Sequence, residues 1–94
     1  MARVAAIQLT SGLYTPQENR AAARSAILGA VETGARLVVL PELVISGYGT
    51  DPRGLHEASE TINGDTLADW SEIAARHNVW IIGGFCERDE GRLY

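Results

Sequence analysis

Arg36-Leu37-Val38-Val39-Leu40-Pro41-Glu42-Leu43 is the stretch that decides how the chain folds. Leu37 to Leu40 is a continuous apolar run with two β-branched residues at its centre, the pattern of a buried strand. Pro41 has no N–H to give to a ladder and marks the strand's end. Glu42 comes next, which predicts a carboxylate at the rim of that strand, half out of water. A carboxylate so placed can be tuned into a general base. In open α/β sheets, ligand sites also gather at the carboxyl ends of the strands.

Upstream, Val4 to Leu9 predicts another strand, and Ser11 to Tyr14 a loop. Thr15, Pro16 and Glu18 predict a helix start with an N-cap, a proline in the first turn and a capping box. Ala23, Ala26, Ile27, Ala30 and Val31 recur at helical spacing, and Gly34 is the expected left-handed terminator. Two strands joined by one helix make a βαβ unit with parallel strands.

Downstream, Gly47, Gly49, Pro52 and Gly54 predict loop with one short helix across residues 43 to 60. Asp65 is the expected cap of a further helix, with Leu67, Trp70, Ile73, Ala74 and His77 on one face and Asn78 at its end. Glu72 and Arg76 are spaced for an i,i+4 pair on its outside. Val79 to Ile82 predicts a third strand, extended through Gly83-Gly84-Phe85 and carrying Cys86. Asp89-Glu90-Gly91 predicts a hairpin turn into Arg92-Leu93-Tyr94. The order β-α-β-α-β-β is that of an α/β protein with a largely parallel sheet. A chain of 94 residues stopping inside a hairpin reads as the N-terminal part of one longer domain.

Composition narrows the function classes. The net charge of -4, with eight scattered basic residues, argues against a nucleic-acid surface. No apolar stretch approaches the roughly 18 residues a membrane helix needs. The opening residues hold no secretory segment. One cysteine excludes an internal disulfide framework. A cytoplasmic protein is the expectation. His56, His77 and Cys86 are too dispersed for a metal site, and no cofactor is expected. Cys86 reads as a small buried apolar side chain, with nothing basic beside it to activate it. Trp70 reads as core; Trp80 faces either the core or a subunit partner.

The 36–43 stretch followed by Ser46-Gly47-Tyr48 resembles the carbon–nitrogen hydrolase (nitrilase) superfamily. Val4-Ala5-Ala6-Ile7-Gln8, Asn19 with its alanine-rich helix, Trp80-Ile81-Ile82-Gly83-Gly84 and Gly91-Arg92-Leu93-Tyr94 agree in order and spacing. The resemblance implies a four-layer α-β-β-α sandwich, of which this is the N-terminal part. It implies hydrolysis of a non-peptide amide, carbamoyl or nitrile bond in a small-molecule substrate by a glutamate, a lysine and a cysteine. It matches Glu42 to that glutamate, the base for the cysteine thiol, and sets Tyr48 at the entrance to the substrate pocket, where it could equally pack under its own loop. It also implies a homo-oligomer for the full-length protein.

The chain departs from the family pattern in holding no lysine, and in having its one cysteine ahead of where the family's nucleophile falls. The expectation is therefore a hydrolase whose first 94 residues are inert alone. Two other classes compete. A nucleotide-binding α/β module needs G-x-G-x-x-G after the first strand, whereas Thr10-Ser11-Gly12-Leu13-Tyr14 has one glycine. A non-catalytic assembly piece would show itself by exposed strand edges and self-association. A Glu42 carboxyl directed into bulk water, away from any cavity, would overturn the enzymatic reading.

Overall fold

A computed structural model describes residues 2–94. Three short strands, β1 (Val4–Ala6), β2 (Leu37–Val39) and β3 (Trp80–Ile82), form one parallel sheet in the order β1-β2-β3. Val38 stands between Ala5 and Ile81 at the centre of the register. The ladder runs past the strand ends through Ile7 N–H to Val39 O and Leu40 N–H to Ile82 O, both 2.8 Å. Pro41 then ends it, as expected. Gly83 to Phe85 does not extend β3, and Cys86 lies beyond the strand.

Helix α1 (Pro16–Glu32) buries Asn19, Ala23 and Ile27, four residues apart, on the stripe that meets the sheet. It ends as the sequence indicates. Gly34 has φ of 93°, its N–H reaches Val31 O at 2.9 Å, and Ala35 N–H reaches Ala30 O at 3.1 Å. These two bonds are the Schellman pair that closes a helix through a left-handed residue. The start differs from expectation. Thr15 holds the N-cap position but its side chain caps nothing, so there is no capping box; its hydroxyl turns to Asn19 Oδ1 at 3.4 Å instead.

Helix α2 (Pro52–Ala58) is the short helix expected in the glycine-rich segment, capped by Asp51, whose carboxylate accepts from Arg53 and Gly54 N–H. Helix α3 (Asp65–His77) ends at Asn78 with φ 52°, ψ 53°. Its cap is not Asp65, which lies one residue inside the helix with its side chain exposed. Glu60 does the capping from outside. It accepts from Thr66 N–H at 2.8 Å and from the Thr66 hydroxyl, and pairs with Arg20 of α1 at 3.2 Å. Arg24 pairs with Asp69 beside it and Arg20 also reaches Asp65 at 3.9 Å, so three ion pairs tie α1 to α3 and its cap. Burial opposes ionisation of Glu60. The two bonds from Thr66, with those from Arg20, outweigh it and hold the carboxyl below its ordinary range. The predicted outer pair, Glu72 with Arg76, is present at 3.3 Å.

The core lies between the helices and one face of the sheet, around Ile27, Val38, Ile45, Trp70 and Ile73. The other face is open. Val4, Trp80 and Ile82 are 57, 78 and 56% exposed. The strands are therefore covered on one side within residues 2–94, not buried on both, and Trp80 points away from the core. The hairpin β4 (Arg88–Asp89) and β5 (Arg92–Leu93) forms a separate two-stranded sheet, turned by Glu90 and Gly91, both at positive φ.

Candidate active site

β2 delivers Glu42 to the carboxyl end of the sheet, and the turn it enters fixes it there. Residues 42 to 46 form a tight turn closed by Gly47 N–H on Leu43 O at 2.9 Å. Gly47 has φ of 76°, and a side chain there would strike the Gly12 carbonyl. Only glycine gives this turn both its left-handed exit and its close approach to the first loop.

The turn is stapled to the first loop by its main chain. Ser11 Oγ donates to Val44 O at 2.7 Å, Asn19 Nδ2 to Ile45 O at 2.7 Å, and Tyr14 N–H to Ser46 O at 2.8 Å. Asn19 is buried and uses the rest of its amide on Gly12, accepting from its N–H at 2.8 Å and donating to its carbonyl at 2.7 Å. One asparagine thus joins α1, the first loop and the Glu42 turn. A buried amide left unpaired would cost about 1–3 kcal/mol, so this arrangement holds only while its partners stay in register.

Tyr14 holds the next segment. Its hydroxyl accepts from Asp51 N–H at 2.9 Å, and its ring fills the space that side chains at Gly49 and Gly54 would need. Tyr48, between these anchors, is 64% exposed, with its hydroxyl accepting from Leu43 N–H at 3.4 Å. It does not pack under its own loop.

Glu42 itself is exposed, where the sequence predicts a half-buried carboxyl. The reason is geometric. It stands at the open end of a sheet whose second face is uncovered, and no element of residues 2–94 closes over it. Three surface cavities, the largest about 340 Å³ at the start of α3 around Ile62, Gly64 and Leu67, take no lining from Glu42 or Tyr48. By the criterion set from sequence, this exposure counts against the enzymatic reading of Glu42 on the geometry of residues 2–94 alone. Gly84 stands behind Glu42, so close that a methyl group there would overlap the Glu42 carbonyl.

Cys86 is buried, and burial pushes its thiol up, away from thiolate chemistry. Its structural reading from sequence holds. Its carbonyl accepts from Glu60 N–H at 3.0 Å, tying the segment after β3 to the residue that caps α3. Among the described residues no group of three or more His, Cys, Asp or Glu side chains could hold a metal ion, and no helix is long and apolar enough to cross a membrane.

A family model described as carbon-nitrogen hydrolase matches residues 3–94. A nitrilase of Pyrococcus abyssi is 34% identical over 96 residues, covering 100% of this chain and 37% of its own length. The omega-amidase NIT2 of Bos taurus is 38% identical over 93 residues, covering 98% of this chain and 33% of its own. The omega-amidase NIT2 of Homo sapiens is 37% identical over 94 residues, with 98% and 33% covered. The chain spans about a third of the length of these relatives.

Proposed function

The chain belongs to the carbon–nitrogen hydrolase family, and from that premise we propose that it is the N-terminal part of a hydrolase domain in which Glu42 is the general base. The observation that carries this reading is the placement of Glu42. A carboxylate leaves the central parallel strand at its carboxyl end, on a turn stapled through Val44, Ile45 and Ser46. Ligand sites of open α/β sheets lie at that end.

The chemistry rests on the residue types. Glu42 takes the proton of a cysteine thiol, and the thiolate attacks the carbon of an amide, carbamoyl or nitrile group. A lysine stabilises the negative charge of the tetrahedral intermediate. Glu42 returns that proton to the departing nitrogen as ammonia or an amine leaves, and the regenerated carboxylate deprotonates the water that hydrolyses the thioester. The 94 residues contain no lysine, and their one thiol is buried and structural, so both partners come from other residues of the full-length protein. Tyr48, exposed just after the turn that carries the base, lines the approach to the substrate. The substrate is a small molecule; two similar proteins are named omega-amidases and one a nitrilase.

The open sheet face supports the four-layer architecture. Val4, Trp80 and Ile82 present apolar side chains on the side away from α1 and α3. Parallel strands are stable when both faces are covered. A second sheet laid on this face completes an α-β-β-α sandwich and brings walls around Glu42.

The test is substitution in the full-length protein. Glu42→Gln keeps the shape and removes the base, so turnover of amide and nitrile substrates falls by at least about 10²-fold, the low end of general-base effects, with the fold intact by circular dichroism. A folded Gln variant turning over at the parent rate removes the proposal. The isolated 94-residue chain shows no turnover.

A further inference from the structure

Two glycines come directly after β3, and they are glycine for different reasons. Neither belongs to the positive-φ glycines, which are Gly34, Gly47 and Gly91. Their backbones take a conformation open to any residue, so space, not torsion, excludes a side chain. At Gly83 a methyl group would meet the Trp70 ring at 2.6 Å and a Leu40 methyl at 3.0 Å. Those neighbours are core side chains. At Gly84 it would overlap the carbonyl oxygen of Glu42 and stand 2.7 Å from its carbonyl carbon and 3.1 Å from its Cα. Those neighbours are backbone, and cannot swing aside.

We infer that Gly84 is a positioning residue for Glu42: its bare Cα is the seat on which the Glu42 peptide rests. The inference rests on the reading of Glu42 as the base and adds what holds it from behind. Residues 43 to 47 and their staples fix the chain after Glu42. The last bond of the sheet, Leu40 N–H to Ile82 O, fixes it before. Gly84 closes the remaining side. Since the overlapping atoms are main chain, a methyl at this position displaces the Glu42 peptide bodily, and the carboxyl travels with it. A misplacement on the order of 1 Å costs about 10²-fold in rate.

The experiment compares Gly84→Ala, Gly83→Ala and Glu42→Gln in the full-length protein, following kcat, KM, the pH profile of kcat and the thermal midpoint. The expected result is a folded Gly84→Ala variant with kcat down about 10²-fold, KM near the parent value and a displaced acid limb. The Gly84→Ala/Glu42→Gln double variant is no slower than Glu42→Gln alone, because the seat acts only through the base. Gly83→Ala lowers the thermal midpoint through Trp70 and leaves the pH profile in place. Glu42→Gln is read first, and parent-like turnover there takes down the base reading and this inference with it. With Glu42→Gln inactive, a folded Gly84→Ala variant of parent kcat and pH profile leaves the base standing and overturns the seat. Multiplicative losses in the double variant overturn it too. Should Gly84→Ala fail to fold, Phe85→Ala, which removes a side chain packed against the core, loosens the 83–85 segment without adding an atom. It lowers kcat about tenfold at constant KM, and an unchanged kcat overturns the inference.

Discussion

Glu60 ties together more of the structure than a single surface ion pair would, and removing it has a calculable cost. Its carboxylate caps α3 through Thr66 N–H, accepts from the Thr66 hydroxyl, and pairs with Arg20, all with little solvent. Loss of an N-cap acceptor costs about 1 kcal/mol. A hydrogen bond to a charged group contributes about 1.5–3 kcal/mol. Arg20 keeps its bond to the Thr66 hydroxyl and a longer contact with Asp65, so it is not stranded. Because these contributions share partners and do not simply add, Glu60→Ala destabilises the full-length protein by about 3 kcal/mol. Glu60→Gln retains an acceptor for Thr66 N–H and loses about half as much.

The pH dependence is the sharper test. The folded carboxyl sits below its unfolded value, so its contribution is present above the unfolded pKa, about 4.3, and is lost as pH falls through the folded one. Urea unfolding of parent and Glu60→Ala at a series of pH values reads both quantities. The gap between them is full at neutral pH and narrows as pH falls below about 4.3. A gap under about 1 kcal/mol at pH 7, or one that does not narrow in acid, refutes the assignment of Glu60 as an ionised cap.

Three further outcomes are expected. Asn19→Ala strips the staple between the first loop and the Glu42 turn and leaves three main-chain groups unpaired, costing about 2–4 kcal/mol by chemical denaturation; a loss under about 0.5 kcal/mol would mean the amide is replaceable by water. The isolated 94-residue chain self-associates through the face bearing Val4, Trp80 and Ile82, and Trp80→Glu shifts it toward monomer in size-exclusion chromatography; a compact monomer of the parent chain contradicts this. Cys86 in the folded protein reacts with a thiol reagent far more slowly than in urea; equal rates would show that the thiol is not held inside.

What the sequence discloses is what neighbouring residues decide. Leu37 to Leu40, the stop at Pro41, Gly34, Asn78 and the Glu90-Gly91 turn all depend on short-range sterics, and each stands where its local pattern puts it. The α3 cap is Glu60 and not Asp65 because the acceptor comes from six residues upstream of Thr66, and Arg20, 40 residues away from Glu60, completes the group. No local pattern announces such a partner; a buried acceptor is found only once α1 and α3 lie side by side. The Thr15 capping box is absent for a related reason, since Asn19, committed to Gly12 and Ile45, draws the Thr15 hydroxyl to itself. Placement of Glu42 at a strand end is legible, because strand and stop are local. Its exposure is not, because cover over a sheet end comes from distant chain. The double glycine after β3 reads in sequence only as a continued strand, and its opposed duties toward Trp70 and Glu42 emerge from packing alone.

The staples on the Glu42 turn grip carbonyl oxygens of Val44, Ile45 and Ser46, which every amino acid possesses. Side-chain identity at half-buried Leu43 is therefore decoupled from these staples, and exposed Tyr48 touches the turn only through the long bond its hydroxyl accepts from Leu43 N–H. On the proposed reading of Glu42 as the base, variation there reshapes what reaches the carboxylate while the turn that carries it stays put. A scaffold fastened this way tolerates diversification of substrate preference, and libraries confined to those two positions are where altered selectivity should be sought first.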